Sequence, residues 1–500
     1  MKILNAEQIR DWDQYTIQHE SISSVDLMER AAGKCVEWLD ENGYLEKQFS
    51  IFCGAGNNGG DGLAIARILA ESKSMVVVYI LGSDNKGSDD FETNLLRLQL
   101  TDLNIHFIQK EKDFPVINSN TIIIDALFGS GLSRSLEGII AKQVQHINKS
   151  RCEVISIDIP SGMYVDRSSK GKPMIKARHT LSFQCYKPAF LMAENAEYFG
   201  EVHILDIGLK PEYLSSISVA WELVDEEIIH SIYKPRDPFA HKGKYGHALL
   251  VAGGYGKMGA AVLASRACIR SGVGLLTCFI PKSGYDIMQK TVPEAMVMTD
   301  LNSSFISKIE LDLSKYNVIG IGPGIGTASE TRAALKELFF QNKKPIVIDA
   351  DGLNCVAMEK DILNSLSPQS ILTPHPREFE RLFGETANEF DRIQLAIKKA
   401  NELNVIIVLK GHHSLIATPE GKGFFNSTGN PGMAKGGSGD VLTGIITALL
   451  AQGYGSSDAA ILGVHLHGLA GDLAEKKLSQ EAMVAGDIIE NLSNAFLSLK

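Results

Sequence analysis

The sequence predicts an α/β protein built from two consecutive domains, each a largely parallel sheet covered by helices. Three observations predict it. The chain has 500 residues, and single hydrophobic cores stop growing near roughly 250–300 residues. Short apolar runs alternate with amphipathic helical stretches in both halves, the pattern of strand–helix–strand units. Those runs repeatedly end in an acid or a glycine turn, where open parallel sheets form their ligand crevice.

Composition narrows the class. At 44% hydrophobic and 22% charged residues, the chain reads as an ordinary soluble globular protein. A formal charge of −10 without any long Lys/Arg cluster argues against a nucleic-acid surface. No apolar run approaches the roughly 18 residues of a membrane helix. The opening Met1–Asp11 turns polar too soon for a signal peptide. The seven cysteines (35, 53, 152, 185, 268, 278 and 355) are scattered, with no Cys-x-x-Cys. Reduced thiols in a cytoplasmic protein are therefore expected.

Residues 5–42 read as two helices. Leu27, Met28, Ala31, Cys35, Trp38 and Leu39 recur at helical spacing, with Ser23-x-x-Asp26 as the cap and Gly43 as the stop. This stripe is read as core or subunit contact, not as a cofactor box. Strands follow at Ser50–Cys53, Val76–Leu81, Thr121–Ile124 and Glu153–Ile157. The first runs into Gly54-Ala-Gly-Asn57-Asn58-Gly59-Gly60-Asp61-Gly62 before a helix at Leu63–Glu71. That loop satisfies Gly-x-Gly-x-x-Gly, so a dinucleotide-binding oxidoreductase is one reading. Its amides and carboxylate are too polar for a loop that need only approach a pyrophosphate. Asp125 and Asp158 each close a strand and are each followed by a glycine loop, Gly129-Ser-Gly131 and Pro160-Ser161-Gly162. Each could cap a turn; beside Asn57 and Asn58 they suggest an oxygen-rich site. Residues 212–244 hold Pro235, Pro238 and Gly243 and read as a linker region, with the boundary near 215–225.

The second half repeats the scheme. His247–Gly254 is a strand and glycine turn, and Gly256-Lys-Met-Gly-Ala260-Ala261 opens a helix at Val262–Ser271. Val318–Gly326, Pro345–Asp351, Ile371–Glu378 and Asn404–Gly411 are further strand-to-loop units, followed by a hairpin around Pro419–Gly423. Asn430–Asp440 is a glycine-rich turn that starts a long apolar helix. Its free N–H groups suit phosphate oxygens, and Asp440 would stand there as a base for a hydroxyl proton. The alternative is a surface turn with Asp440 as an N-cap. No Walker sequence is present. His375, between two prolines, is either an incidental surface histidine or a ligand contact on a stiff loop. Lys410-Gly411 could meet a phosphate or ribose. His465 and His467 point to different helix faces and make no metal pair. Asp349 and Asp351 are read as pinning a turn, with magnesium binding as the alternative.

Two sets of motifs resemble known families. Gly-x-Gly-Asn-Asn-Gly-Gly-Asp-Gly, Asp-Ala-Leu-Phe-Gly and Ser-Ile-Asp-Ile-Pro-Ser-Gly resemble the epimerase domain of NAD(P)H-hydrate repair proteins, over residues 1–215. The resemblance implies a Rossmann-like domain that interconverts R and S hydrates of NADH and NADPH. It implies substrate contacts at Asn57, Asn58, Gly59, Gly60 and Asp61, at Gly129, Ser130, Gly131, Leu132, Ser133, Arg134 and Ser135, and at Asp158. It also implies a potassium ion on Asn58, Asp125 and Ser161, with Asp125 or Asp158 exchanging the proton. Gly-Lys-Met-Gly-Ala-Ala, Gly-Pro-Gly-Ile-Gly, Asp-Ala-Asp-Gly-Leu-Asn, Thr-Pro-His-Pro-x-Glu and Gly-Gly-Ser-Gly-Asp resemble the ADP-dependent NAD(P)H-hydrate dehydratase, over residues 225–500.

This second resemblance implies a ribokinase-like fold. Its substrate contacts fall on Ala261, Gly324, His375 and Asp440. Its nucleotide contacts fall on Lys410, Gly411, His412, His413, Ser414 and Gly439. His412-His413 departs from the family, where a small residue usually follows Lys-Gly. The implied chemistry is phosphorylation of the C6 hydroxyl by ADP or ATP with magnesium, then loss of phosphate. Asp440 would be the base. The expected partners are the hydrated dinucleotides and ADP or ATP, in a cytoplasmic homo-oligomer without nucleic acid or membrane. The rival readings are a kinase of a small vitamin alcohol and, for the first half, a nucleotide-sensing or interaction module.

Overall fold

The computed structural model describes residues 1–82 and 87–500. It contains two compact units: Lys2–Val219 with Asn388–Phe390, and Met1 with Ala220–Ala387 and Asp391–Lys500.

The amino-terminal unit is built on β1 (Gln48–Cys53), β2 (Met75–Leu81), β3 (Asn104–Ile108), β4 (Thr121–Ala126), β5 (Val154–Ile157), β6 (His179–Phe183) and β7 (Glu201–Leu205). They form a seven-stranded sheet in the order β3-β2-β1-β4-β5-β6-β7, parallel throughout. Chain order reverses between β1 and β4, so their carboxyl ends, Cys53 beside Ala126, open the crevice such sheets use. The long apolar runs at β1, β2, β4 and β5 are buried and legible as strands. β3, β6 and β7 were not marked by such runs. Asn104–Ile108 and Glu201–Leu205 are edge strands with water on one side, so polar and apolar residues mix along them.

Helices α1 (Ala6–Glu20) and α2 (Ser24–Glu41) form where the sequence places them. Ser23 and Asp26 satisfy each other's backbone N–H in a capping box, and the chain leaves the helix before Gly43. Helix α3 differs from expectation. It spans Asn57–Glu71, so Asn57, Asn58, Gly59, Gly60 and Asp61 are its first turns and not a loop. The residues are weak helix formers, and packing overrides that preference. A Cβ on Gly59 would stand 1.7 Å from the Gly54 carbonyl oxygen, so only glycine lets the first turn close on the strand end. Further helices are α4 (Asp89–Gln99) and α5 (Gly138–Ser150).

The carboxy-terminal unit has β8 (Trp221–Leu223), β9 (His247–Val251), β10 (Leu275–Ile280), β11 (Met296–Thr299), β12 (Val318–Ile321), β13 (Ile346–Ile348), β14 (Ile371–Leu372), β15 (Ile406–Leu409), β16 (Leu415–Ala417) and β17 (Gly423–Phe425). They lie in the order β8-β17-β16-β15-β14-β13-β12-β9-β10-β11. The expected hairpin is β16–β17, antiparallel, and β15–β16 is antiparallel as well; the other pairs are parallel. The helices that carry site residues are α6 (Met258–Arg270), α7 (Ala350–Met358), α8 (Pro376–Phe383) and α9 (Ser438–Ala451). Helix α9 is apolar on nearly every face because it is buried along most of its length.

The stretch 212–244 is not simply a linker. It contains a helix at Glu212–Ser216, strand β8 and a helix at Glu226–Ile232. Trp221 in β8 packs against Phe425 in β17, ring centroids 5.3 Å apart, which an exposed tether could not do.

Candidate active sites

In the amino-terminal unit a cavity of about 640 Å³ opens at the β1/β4 crevice. Asn57, Asn58, Asp61, Gly129, Ser130, Gly131, Leu132, Ser133, Arg134 and Asp158 line it. Gly59, Gly60, Ser135, Asp125 and Ser161 are not on its wall. Leu27, Met28 and Ala31 of α2 supply apolar wall, so part of the stripe read as core or subunit contact lines the cavity.

Asp158 follows β5 in the left-handed region, φ 68°, a conformation that costs a non-glycine residue free energy and persists where the surroundings hold it. Lys187 holds it. That lysine is fully buried, and its Nζ lies 2.8 Å from Asp158 Oδ1 while donating to Ser182 Oγ at 2.6 Å. The Ser130 amide donates to Asp158 Oδ2 at 3.2 Å.

Asp13 of α1 shares the cavity. Burial, then the nearby Asp158 charge, pushes its carboxyl up to about 7, with Lys187 opposing. Burial also pushes Asp61 well up, helped by the charges of Asp158 and Asp13. Neither Asp13 nor Lys187 was among the residues singled out from sequence. Asp13 carried a readable signal: it sits beside the buried stripe Ile9, Trp12, Thr16 of α1, where a carboxylate is out of place unless it is used. Lys187 carried none, because its partners arrive from β5 and β6.

Asp125 is placed differently from Asp158. It is fully buried inside β4. Its Oδ1 accepts from Ser161 Oγ (2.6 Å) and the Leu127 amide (3.3 Å), and its Oδ2 from Ser156 Oγ (2.7 Å) and the Ser161 amide (2.9 Å). Burial raises its pKa and these hydrogen bonds oppose the rise. Ser161 Oγ in turn accepts from the Phe128 amide at 2.8 Å. The Asn58 amide abuts Gly129, and its Nδ2 is buried without a partner. Asn58, Asp125 and Ser161 thus cluster under the Phe128–Gly129 turn as an oxygen-rich knot.

In the carboxy-terminal unit, Gly437 caps α9, so Ser438, Gly439 and Asp440 form its first turn, whose N–H groups have no helical acceptor. Asp440 is largely enclosed. Burial, then the Asp349 charge, raises its carboxyl to about 6, with Lys410 opposing. Asp349, at the end of β13, does not merely pin a turn. Its Oδ1 accepts from Lys410 Nζ at 2.8 Å and its Oδ2 from Thr443 Oγ1 of α9 at 2.7 Å. A Cβ on Gly439 would lie 3.5 Å from both Asp349 Oδ2 and Lys410 Nζ. A Cβ on Gly322 (φ 129°) would stand 1.8 Å from the Asp349 carbonyl oxygen, so glycine there lets β12 and β13 close beneath the site. Asp351 meets Lys257 Nζ at 3.2 Å and accepts from the Gly326 amide at 2.9 Å.

His375 caps α8: its Nδ1 accepts from the Arg377 and Glu378 amides at 3.1 and 3.4 Å. Its own amide donates to Glu378 Oε2 at 2.9 Å, and Glu378 Oε2 lies 3.9 Å from Lys410 Nζ. One run of polar contacts therefore joins Asp349, Lys410, Glu378 and His375, and Asp440 feels the charges of Asp349 and Lys410. Gly324 packs against Lys257 and Ala260 at the start of α6, next to the buried Ala261. Along the Lys410 loop, Ser414 Oγ accepts from the Gly411 amide at 3.3 Å. His412 is exposed; His413 is largely buried, which lowers its pKa to about 4. His467 is buried against Ser438 Oγ at 3.2 Å, and burial lowers its pKa to about 4.

Two largely parallel sheets, each with acids, glycine turns and a helix amino terminus at its carboxyl edge, define a two-site α/β enzyme suited to phosphate-bearing ligands. The family models agree. Residues 24–189 match the YjeF-related protein N-terminus, and residues 248–494 match NAD(P)H-hydrate dehydratase. The bifunctional NAD(P)H-hydrate repair enzyme Nnr of Moorella thermoacetica is 34% identical over 100% of this chain and 97% of its own length. That of Thermofilum pendens is 33% identical, with the same shares covered. A solved ADP/ATP-dependent NAD(P)H-hydrate dehydratase from Bacillus subtilis, co-crystallized with ATP/Mg2+, is 30% identical. It covers 55% of this chain and 98% of its own, with a TM-score of 0.49. The chain belongs to the bifunctional NAD(P)H-hydrate repair enzyme family.

Proposed function

We propose that the carboxy-terminal unit dehydrates the S hydrate of NADH and NADPH at the expense of ADP or ATP, and that the amino-terminal unit supplies it by epimerising the R form. The observation that carries this is the placement of Asp440: an acid of raised pKa in the first turn of α9, electrostatically linked to Asp349 and Lys410.

Hydroxide leaves a ring poorly, and phosphate leaves well. Asp440 takes the proton of the C6 hydroxyl as it attacks the nucleotide's terminal phosphoryl group. The amides of the α9 first turn face the developing charge. The ring nitrogen lone pair then expels phosphate by breaking the C6–O bond, and loss of the C5 proton to solvent restores the C5=C6 double bond. Gly324, Ala261 and His375 contact the hydrate, and Lys410–Ser414 with Gly439 contact the nucleotide. Asp349 and Asp351 are already committed to Lys410, Thr443, Lys257 and Gly326. The donor set therefore suits a magnesium ion held chiefly by the nucleotide's own phosphates, which would neutralise their charge.

In the epimerase site Asp158, paired with Lys187, accepts the proton of the C6 hydroxyl. As the C6–N1 bond breaks to leave a carbonyl, Asp13, protonated up to about pH 7, gives a proton to the released nitrogen. Ring closure on the opposite face of the carbonyl, with both protons returned, yields the other hydrate through two carboxyls set apart by their surroundings. Asp125 serves instead as scaffold, as its four hydrogen bonds support. Asn58, Asp125 and Ser161 would hold the potassium ion. An amide, a carboxylate and a hydroxyl are hard oxygen donors, suited to a weakly hydrated cation, which would fix the Phe128–Gly129 turn.

A cytoplasmic homo-oligomer completes the proposal. Free cysteines support the compartment, and no helix among the described residues is long and apolar enough to cross a membrane. Light scattering tests the assembly. The activity test adds R hydrate, S hydrate and ADP separately and together to purified protein. Recovery of reduced-nicotinamide absorbance with free phosphate is expected from S hydrate and ADP. Formation of a stable phosphate ester instead would make the carboxy-terminal unit a small-alcohol kinase.

A further inference from the structure

The far edge of the amino-terminal sheet carries a ligand cluster that neither activity uses. His179 opens β6 and Glu201 opens β7, and the parallel register sets them side by side. Side chains alternate along a strand, so His203, two residues beyond Glu201, returns to the same face. The substrate cavity lies at the other end of β6, where Phe183 is on its wall. Along the strand that is about 13 Å away.

The donor atoms converge. His179 Nδ1 is 3.0 Å from His203 Nε2, and Glu201 Oε2 is 3.7 and 4.0 Å from those two nitrogens. The point equidistant from all three lies about 2.1 Å from each, the length of a Zn–N or Zn–O bond. The geometry points to a site for a divalent transition-metal ion of the zinc class, held by His179, Glu201 and His203 with water completing its coordination.

A hydrogen bond between the imidazoles would account for the 3.0 Å alone, but not for the surroundings. The second nitrogen of His179, Nε2, faces Glu153 Oε1 at 3.6 Å. Glu153 Oε1 is itself fixed by the Tyr44 hydroxyl at 2.6 Å and by Arg178 Nε at 3.2 Å. A carboxylate on the far side of a metal-binding histidine favours protonation of the nitrogen it faces, here Nε2, and so favours Nδ1 as the bare donor for metal. Trp38 packs on both rings, with centroids 5.3 and 4.7 Å away, and so limits their rotation. Two imidazoles and a carboxylate suit Zn2+, Co2+ or Ni2+ and not Mg2+ or Ca2+. Glu201 is 70% exposed while His179 is 13% exposed, so an ion reaches preset imidazoles over a free carboxylate.

Chelator-treated full-length protein titrated with Co2+ and with Zn2+ tests the site. One equivalent should bind at micromolar metal or below, with a visible Co2+ band and quenching of Trp38 emission. Glu201→Gln and His203→Gln should each weaken binding at least tenfold and lose the band. Glu201→Gln changes an exposed side chain, so it keeps the test decisive should the histidine variant fail to fold. Its rates of epimerisation and dehydration in buffer that holds K+ and Mg2+ but no transition metal should equal those of the parent. Binding only at millimolar metal, or equal affinity in the parent and both variants, overturns the assignment.

Discussion

Asp158 and Asp440 both stand at the carboxyl edge of a parallel sheet, yet the two acids are held in opposite ways. Asp158 has a buried cation 2.8 Å away and a strained backbone. Asp440 has a second carboxylate, Asp349, as its strongest charged neighbour. The first arrangement fixes an acid in place against a buried cation. The second leaves an acid that changes protonation near neutral pH, and assigns the nearby cation, Lys410, to Asp349 instead. Charge at such edges is set by what arrives from neighbouring elements, not by the strand end itself.

The largest expected effect separates the two sites outright. Asp440→Asn should lower dehydration by about 10²–10⁴-fold, the range of a lost general base, while epimerisation continues at the parental rate. Loss of both activities in a folded variant would break the assignment of separate sites. Lys187→Met tests the other side. Removing one partner of a buried ion pair costs about 3–5 kcal/mol, so urea should unfold this variant at a clearly lower concentration and epimerisation should fail. A variant as stable as the parent would show that Asp158 does not depend on Lys187.

The pH profiles sharpen the contrast. Dehydration needs Asp440 ionised, so kcat/KM should fall about tenfold per pH unit below about 6. Epimerisation needs Asp13 protonated, so its rate should fall above about 7. Asp13→Asn should remove that alkaline limb along with most of the rate. Parallel profiles for the two reactions would sink the difference in how the acids are held.

The sequence revealed the parts of these sites that depend on local pattern. Asp125, Asp158 and Asp349 were found because apolar runs end there, and chain direction in a parallel sheet fixes which end carries ligands; the Asn430–Asp440 turn was found because its glycines open a long apolar helix. What it hid depends on long-range packing. The start of α3 at Asn57 follows from glycine letting a helix turn press on Gly54, against local propensity. Lys187 looked like an ordinary lysine before a proline, and only the return of β6 beside β5 brings it under Asp158. Residues 221–232 looked like linker because β8 is three residues long and its partner β17 is some two hundred residues away in the chain.

The smallest effect follows from the same contrast and concerns stability. The folded state raises the Asp440 carboxyl from its ordinary value of 3.8 to about 6. A folded-state pKa above the unfolded one means the folded protein binds the proton more tightly. Its stabilising contribution is therefore present below about pH 4 and is lost as pH rises through about 6. At about pH 8 the fold carries the cost of an enclosed carboxylate beside Asp349. The neutral amide introduced by Asp440→Asn carries no such charge. That variant should therefore be more stable than the parent at about pH 8, by on the order of 1–2 kcal/mol once partial screening at the site mouth is allowed for, and level with it at about pH 4. Thermal denaturation at the two pH values measures this. A variant less stable at the higher pH would mean that α9 relies on an ionised Asp440 in its first turn, and the site would then be built for folding at least as much as for proton transfer.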